Sequence, residues 1–166
     1  FTVDETWSPG DLASLMPLLG RTTLAFVIFS ALSGAVYLVN DIIDVERDRL
    51  HPKKRLRPIA SGQLPAPMAW GASLMLVAGG IGSAFVLEPL FGVTSVAYAG
   101  TMVSYTFLLK RLILIDVFAI SAGFVLRAVA GATVLQVPIS PWLYICTGLG
   151  ALFIALSKRR SELAVA

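Results

Sequence analysis

Charge is scarce in this sequence. Only 14% of the 166 residues are Asp, Glu, Lys or Arg, while 57% are hydrophobic and the mean hydropathy is +0.82. Soluble domains of this length rarely carry so much apolar material, so an integral membrane protein is read instead. The one cysteine, Cys146, lies inside an apolar run. No disulfide can close within the chain, and the redox compartment stays open. The one histidine, His51, is read as a surface residue rather than a ligand. No basic n-region opens the chain, because Phe1 to Asp11 carries Asp4, Glu5 and Asp11; no signal peptide is read there. No soluble domain, repeat or low-complexity linker interrupts it. The pI of about 9.3 does not point to nucleic acid, since the basic residues cluster at the ends of apolar segments, as they do at membrane surfaces.

What is present is a series of membrane-length apolar runs. They predict helices over about 18–39, 66–87, 90–109, 112–135 and 142–157. At roughly 1.5 Å per residue the first gives about 30 Å, enough for a bilayer core. Pro65 and Pro67 open the second helix, as prolines do in a first turn. Glu88-Pro89 and the proline-containing stretch 136–141 are turns. Gly79, Gly80, Gly82, Gly148 and Gly150 are expected to allow close helix packing. The expected fold class is therefore all-α: a polytopic bundle of five transmembrane helices in a single membrane domain over 1–166. If the spans alternate, one side receives 40–65, 110–111 and 158 onward, which hold eleven of the thirteen Lys and Arg. The lead-in and the loops at 88–90 and 136–141 hold none, and Arg21 and Arg127 lie within spans. This asymmetry places the 40–65 loop and the C-terminus in the cytoplasm, in a multi-pass protein of the cell (inner) membrane.

The only long polar run is Asn40 to Gly62, NDIIDVERDRLHPKKRLRPIASG. Asp41, Asp44 and Asp48 fall at i, i+3 and i+7, so a helix continuing past Asn40 stacks them on one face. Three bare carboxylates there repel one another unless a cation lies between them. Hard oxygen donors in a cytoplasmic setting suggest Mg²⁺, its shell completed by water and substrate phosphates. Asn40 adds an amide oxygen or positions a carboxylate. Lys53, Lys54, Arg55 and Arg57 follow, and dense cations beside such a metal suit a diphosphate. An ordinary positive-inside loop explains the basic residues by themselves, but it does not require spaced aspartates. Within the fourth span, Asp116 and Arg127 lie close to one helix face but roughly 16 Å apart along the axis, too far to pair. Each needs another partner or a wet cavity, because charge in a bilayer is costly. The reading is a polar cavity opening to the cytoplasm, with a structural ion pair to another helix as its rival.

At these residues the sequence resembles the UbiA superfamily of intramembrane transferases. NDIIDVERD is similar to the family's first Asp-rich motif, NDxxDxxxD, and RLRPIASG to the RPxxSG stretch that follows it. The finer similarity is to the decaprenyl-phosphate phosphoribosyltransferase branch, through DRLHPKKRLRPIASG, YTFLLKRLILIDVFAISAGFVLRAVAGA and KRRSEL. It covers nearly all of the chain. Four residues separate Tyr105 from Lys110, where the aromatic prenyltransferases usually have three.

The resemblance implies Mg²⁺-dependent transfer of phosphoribose from 5-phosphoribosyl 1-diphosphate to a polyprenyl phosphate such as decaprenyl phosphate. The setting would be cell-wall arabinan precursor synthesis or a related lipid-linked sugar pathway. Asp41, Asp44 and Asp48 would hold the metal. Asn40, Lys54, Arg55 and Arg57 would bind phosphates, and Lys110 and Tyr105 would act as catalytic residues that orient a phosphate or the ribose. Asp116 and Arg127 would face substrate. Lys158 and Glu162 stand where the aromatic branch has a second Asp-rich motif. Family members carry another helix before the point where this chain starts and continue past Ala166, so a central fragment of a larger transferase is expected.

The runner-up within the superfamily is transfer of a prenyl group from its diphosphate to an aromatic acceptor, which uses the same metal site. CDP-alcohol phosphotransferases also place aspartates at helix ends, but their Asp-Gly and Ala-Arg pair is missing here. A divalent-cation carrier would place its ligands near mid-bilayer rather than at the membrane edge. The expected partners are the two substrates and the lipid bilayer, with no nucleic acid; a homo-oligomer stays open.

Overall fold

The computed structural model describes residues 12–111 and 113–163, with the side chains of 12–15, 111, 113–114, 158–159 and 161–163 outside the description. Among the described residues every regular element is helical. In order they are α1 (Leu12–Ile43), α2 (Val45–Leu50), a 3-10 turn (Lys54–Leu56), α3 (Ala66–Leu87), α4 (Pro89–Phe107), a second 3-10 turn (Leu109–Arg111), α5 (Ile113–Leu135) and α6 (Pro141–Leu163). The all-α expectation holds. The long helices stand on the five apolar runs, with α1 and α6 continuing beyond the apolar stretch at both ends. Met16–Ile43, Ala66–Leu87 and Ile115–Leu135 are long and apolar enough to cross a membrane; the apolar part of α6, Pro141–Ser157, is shorter. Helix α4 has 19 residues but buries Thr94, Ser95, Tyr98 and Thr106 along its inner side, which dilutes its apolar character. The protein is a multi-pass membrane protein.

Local chemistry sets the helix ends. Pro65 caps α3 with Pro67 in its first turn, and Pro89 and Pro141 open α4 and α6. These are positions where a missing N–H costs nothing. At the end of α5, Gln136 takes a positive φ of 53°. Val137 N–H donates to Ala132 O at 3.2 Å and Gln136 N–H to Thr133 O at 3.3 Å, the double bond of a Schellman cap. Glutamine occupies this glycine-favouring position because its side chain is in use: Nε2 donates to Glu88 Oε2 at 3.0 Å.

Small residues let the helices close up. Helix α1 packs chiefly on α3, α4 on α3 and α5, and α6 on α5. A Cβ on Gly80 would stand 3.6 Å from Leu32 Cβ, and Ser73 Oγ donates to Ala35 O at 3.1 Å. Gly148 lies against Val125, whereas Gly79, Gly82 and Gly150 face open space; close packing therefore uses two of the five glycines expected to serve it. Large apolar side chains such as Leu74, Met75, Val86, Phe118 and Phe153 point outward, as they do towards lipid.

Polar ties mark the two ends of the bundle. At one end Arg21 of α1 reaches Glu88 Oε2 at 3.3 Å, and Gln136 of α5 shares that oxygen. At the other, Lys110 meets Asp44. Successive long helices therefore run in alternating directions, and Arg21, one of two cations inside a span, finds its partner on the α3–α4 turn.

Candidate active site

The site is built where α1 gives way to the polar loop. Helix α1 breaks at Asp44 (φ −92°, ψ 5°), and α2 starts at the next residue. The hydrogen-bond ladder nevertheless continues through the break, from Asp44 N to Asn40 O at 3.0 Å and from Asp48 N to Asp44 O at 2.9 Å. The loop then folds back, and His51 Nδ1 accepts the N–H groups of Lys53 and Lys54 at 3.2 and 3.3 Å. This histidine therefore organises the turn that presents the cations. Arg57 Nη1 donates to Asp41 Oδ1 at 2.7 Å and to Asp48 Oδ2 at 2.8 Å. From the far side, Lys110 Nζ donates to Asp44 Oδ1 at 2.6 Å. Glu46 pairs with Arg49 at 2.9 Å on the exposed surface.

These groups ring a cavity of about 510 Å³ between α1, α4, α5 and α6. Asn40, Asp41, Asp44, Lys54, Arg57, Tyr105, Lys110 and Arg127 all line it, so the structure brings together residues spread over most of the sequence. Four cations against two carboxylates leave the wall net positive, a setting that attracts multiply charged anions. Gly123 lets α5 approach α4 here, since a Cβ would stand 2.6 Å from Met102 Cε.

Some expected members are elsewhere. Asp48 is buried, with a side chain only 4% exposed. It turns to Arg57 and does not line the cavity. Among the described residues no three His, Cys, Asp or Glu side chains gather as a metal cluster. Arg57 Nη1 bridges Asp41 and Asp48, while Asp44 turns to Lys110; of the three, Asp41 and Asp44 line the cavity. What remains is Asp41 and Asp44 with the Asn40 amide. That hard-oxygen set fits an ion that usually takes one or two carboxylates and fills its shell with water and phosphate oxygens. Arg55 is exposed and off the cavity. Asp116 is buried on the α5 face that carries Ile120, Gly123 and Arg127, yet it does not line the cavity, and its Oδ1 has no hydrogen-bond partner among the described residues. The side chains of Lys158 and Glu162 lie outside the described residues.

Residues not singled out in the sequence complete the inner end. Arg127 Nη2 donates to Tyr98 OH at 2.8 Å and to Ser33 Oγ at 3.3 Å, and those hydroxyls bond each other at 2.6 Å. Tyr98, Met102 and Tyr105 recur at helical spacing on one side of α4, and all line the cavity. That stripe is the signal by which Tyr98 could have been found from Tyr105. A second, apolar cavity of about 370 Å³ meets the first at Arg127 and is lined by Phe26, Phe29, Ser33, Phe91 and Gly131 among others.

Comparison with known proteins adds the following. Residues 7–159 match the family described as UbiA prenyltransferase. The chain is similar to decaprenyl-phosphate phosphoribosyltransferase of Mycobacterium tuberculosis, 37% identical over 149 residues, which cover 90% of this chain and 49% of that protein. It is similar to the enzyme of the same name in Corynebacterium glutamicum, 41% identical over 142 residues, 84% of this chain and 43% of that protein. A shorter similarity links it to digeranylgeranylglyceryl phosphate synthase of Methanococcoides burtonii, 36% identical over 90 residues, 54% of this chain and 31% of that protein. The chain spans about half the length of the phosphoribosyltransferases it matches.

Proposed function

The chain belongs to the UbiA prenyltransferase family, and on that premise we propose that its cavity transfers phosphoribose from 5-phosphoribosyl 1-diphosphate to a polyprenyl phosphate such as decaprenyl phosphate. The observation that carries the reading is the cavity wall itself, where Lys54, Arg57, Lys110 and Arg127 stand beside Asp41 and Asp44. The similarity to phosphoribosyltransferases over most of the chain supports it. The long helices are read as five crossings, with the Asp-rich loop on the cytoplasmic side of the cell membrane, because eleven of the thirteen Lys and Arg fall on that side.

Asp41 and Asp44, with Asn40, are the residues to hold a divalent cation, read as Mg²⁺. Such an ion supplies charge neutralisation for a leaving diphosphate. Arg57 and Lys110 pair with those carboxylates. Substrate binding is then an exchange of partners: Lys110 turns from Asp44 to phosphate oxygens and Lys54 joins it, while Arg57, kept on buried Asp48, offers its remaining N–H groups. The acceptor's phosphate oxygen attacks C1 of the ribose, the C1–O bond to diphosphate breaks, and the electron pair leaves with the diphosphate. The acceptor is already anionic, so no strong base is needed. Tyr105 lines the same wall and orients the ribose or a phosphate.

The rival reading is prenyl transfer to an aromatic acceptor, favoured by the family's description. Both are tested with the full-length protein in liposomes with Mg²⁺. Labelled phosphoribosyl diphosphate is offered with a polyprenyl phosphate, and a prenyl diphosphate with an aromatic acid in parallel. Label is expected in lipid only in the first assay, and not with Asp44→Asn. Turnover only in the second would sink the proposal.

A further inference from the structure

The cavity has two cationic poles. At the loop end, Arg57 and Lys110 each hold a carboxylate. At the inner end Arg127 forms no ion pair among the described residues. Its partners are the hydroxyls of Tyr98, Ser33 and Tyr37, and the rings of Tyr98 and Phe124, each centred 5.3 Å from its guanidinium carbon. Neutral partners aim a guanidinium without neutralising it, and arginine stays protonated. A charge held inside a membrane helix bundle and facing a cavity marks a ligand's counter-charge.

The spacing of the poles says what kind of ligand. Ser33, which Arg127 touches, lies on the same helix as Asp41 and Asp44, about 12 and 16 Å away along its axis. A ligand that satisfies both poles is anionic at both ends with a compact polar body between. Resting on the phosphoribosyl-transfer reading, we infer that Arg127, aimed by Tyr98 and Ser33, binds the 5-phosphate of the donor while the loop end holds its 1-diphosphate. Arg127 is then a specificity determinant. A prenyl diphosphate is anionic at one end only and would lay hydrocarbon on a guanidinium that no carboxylate neutralises, a penalty that rejects it. The other claimant is the acceptor's lipid phosphate, since the apolar cavity also reaches Arg127. That phosphate must attack C1, the atom carrying the diphosphate, whereas Arg127 is held by Ser33 and Tyr98 at the inner end, away from the pairs that Asp41 and Asp44 make with Arg57 and Lys110.

The test uses the full-length protein in nanodiscs with Mg²⁺ and two separate probes, ribose 5-phosphate and inorganic diphosphate. Arg127→Gln is expected to weaken ribose 5-phosphate binding, and to raise KM for phosphoribosyl diphosphate, by about 10- to 100-fold, the loss of a charge-assisted phosphate contact. Inhibition by inorganic diphosphate and KM for polyprenyl phosphate stay unchanged, and Arg127→Lys falls between. Retained diphosphate inhibition shows that the variant is folded. Should it fail to fold, Tyr98→Phe, which removes one hydroxyl that aims the guanidinium, gives the same order of effects at smaller size. Unchanged ribose 5-phosphate binding overturns the inference, and so does a rise confined to the KM for polyprenyl phosphate. A wild type that transfers no phosphoribose sinks the activity instead, and the Arg127 assignment is then decided by ribose 5-phosphate binding alone.

Discussion

Lys110 and Asp44 meet at 2.6 Å although 66 positions separate them in sequence. Their pairing sets a cation of the protein against a metal for that carboxylate oxygen. Replacing Lys110 by Met releases Asp44, so Mn²⁺ should bind more tightly in the absence of substrate while KM for the diphosphate donor rises by about tenfold or more. Equilibrium dialysis and steady-state kinetics read the two effects separately; a fall in both affinities would show the lysine to be structural. Arg57 holds Asp48, which is almost fully buried. Arg57→Ala leaves that carboxylate without its cation and should cost about 2 kcal/mol, less than a fully buried pair because Arg57 is itself partly exposed. Thermal unfolding in detergent should show that adding Asp48→Asn recovers part of the loss. The aspartate spacing was legible in sequence, and so were the cations. The pairing of the aspartates was not, because Arg57, nine residues beyond Asp48, bridges it to Asp41, and Lys110 takes Asp44 from a distant helix end. Ser33 and Tyr98 were hidden for a different reason: alone, each is an ordinary polar residue in an apolar helix, and only the fold sets them around Arg127.

Helix positions followed from apolar runs and prolines, because both act locally. Helix ends and packing faces depend on neighbours. Helix α1 runs on to Ile43 because its backbone ladder continues beneath the polar side chains, and α5 ends on a glutamine that Glu88 holds. The α1–α3 contact gives a graded test. Gly80→Ala places its Cβ 3.6 Å from Leu32 Cβ, an ordinary contact, so stability should stay near wild type. Gly80→Leu must push α1 from α3 and should cost about 1–3 kcal/mol. Denaturant titration of the two variants checks the contrast; equal effects would place the helices further apart than described.

At the scale of the whole molecule the helices pack through apolar clusters around Phe91 and Leu32, the polar groups of the site gather at one cavity, and the outer faces are apolar, an arrangement suited to a bilayer. The direction of insertion proposed from the charge asymmetry is tested by labelling. With Cys146 replaced by Ser, a cysteine at Gln63 should react with an impermeant maleimide only after the membrane is opened, and one at Val137 should react from outside the cell. The reverse pattern would invert the topology. The central claim is that Asp41 and Asp44 hold a metal that touches the donor's diphosphate. It is tested most directly by electron–nuclear double resonance with Mn²⁺ in the full-length protein. ³¹P coupling to the bound ion is expected when phosphoribosyl diphosphate is added, and is abolished by Asp44→Asn. Coupling that survives Asp44→Asn, or a bound ion that never senses phosphorus, would contradict it.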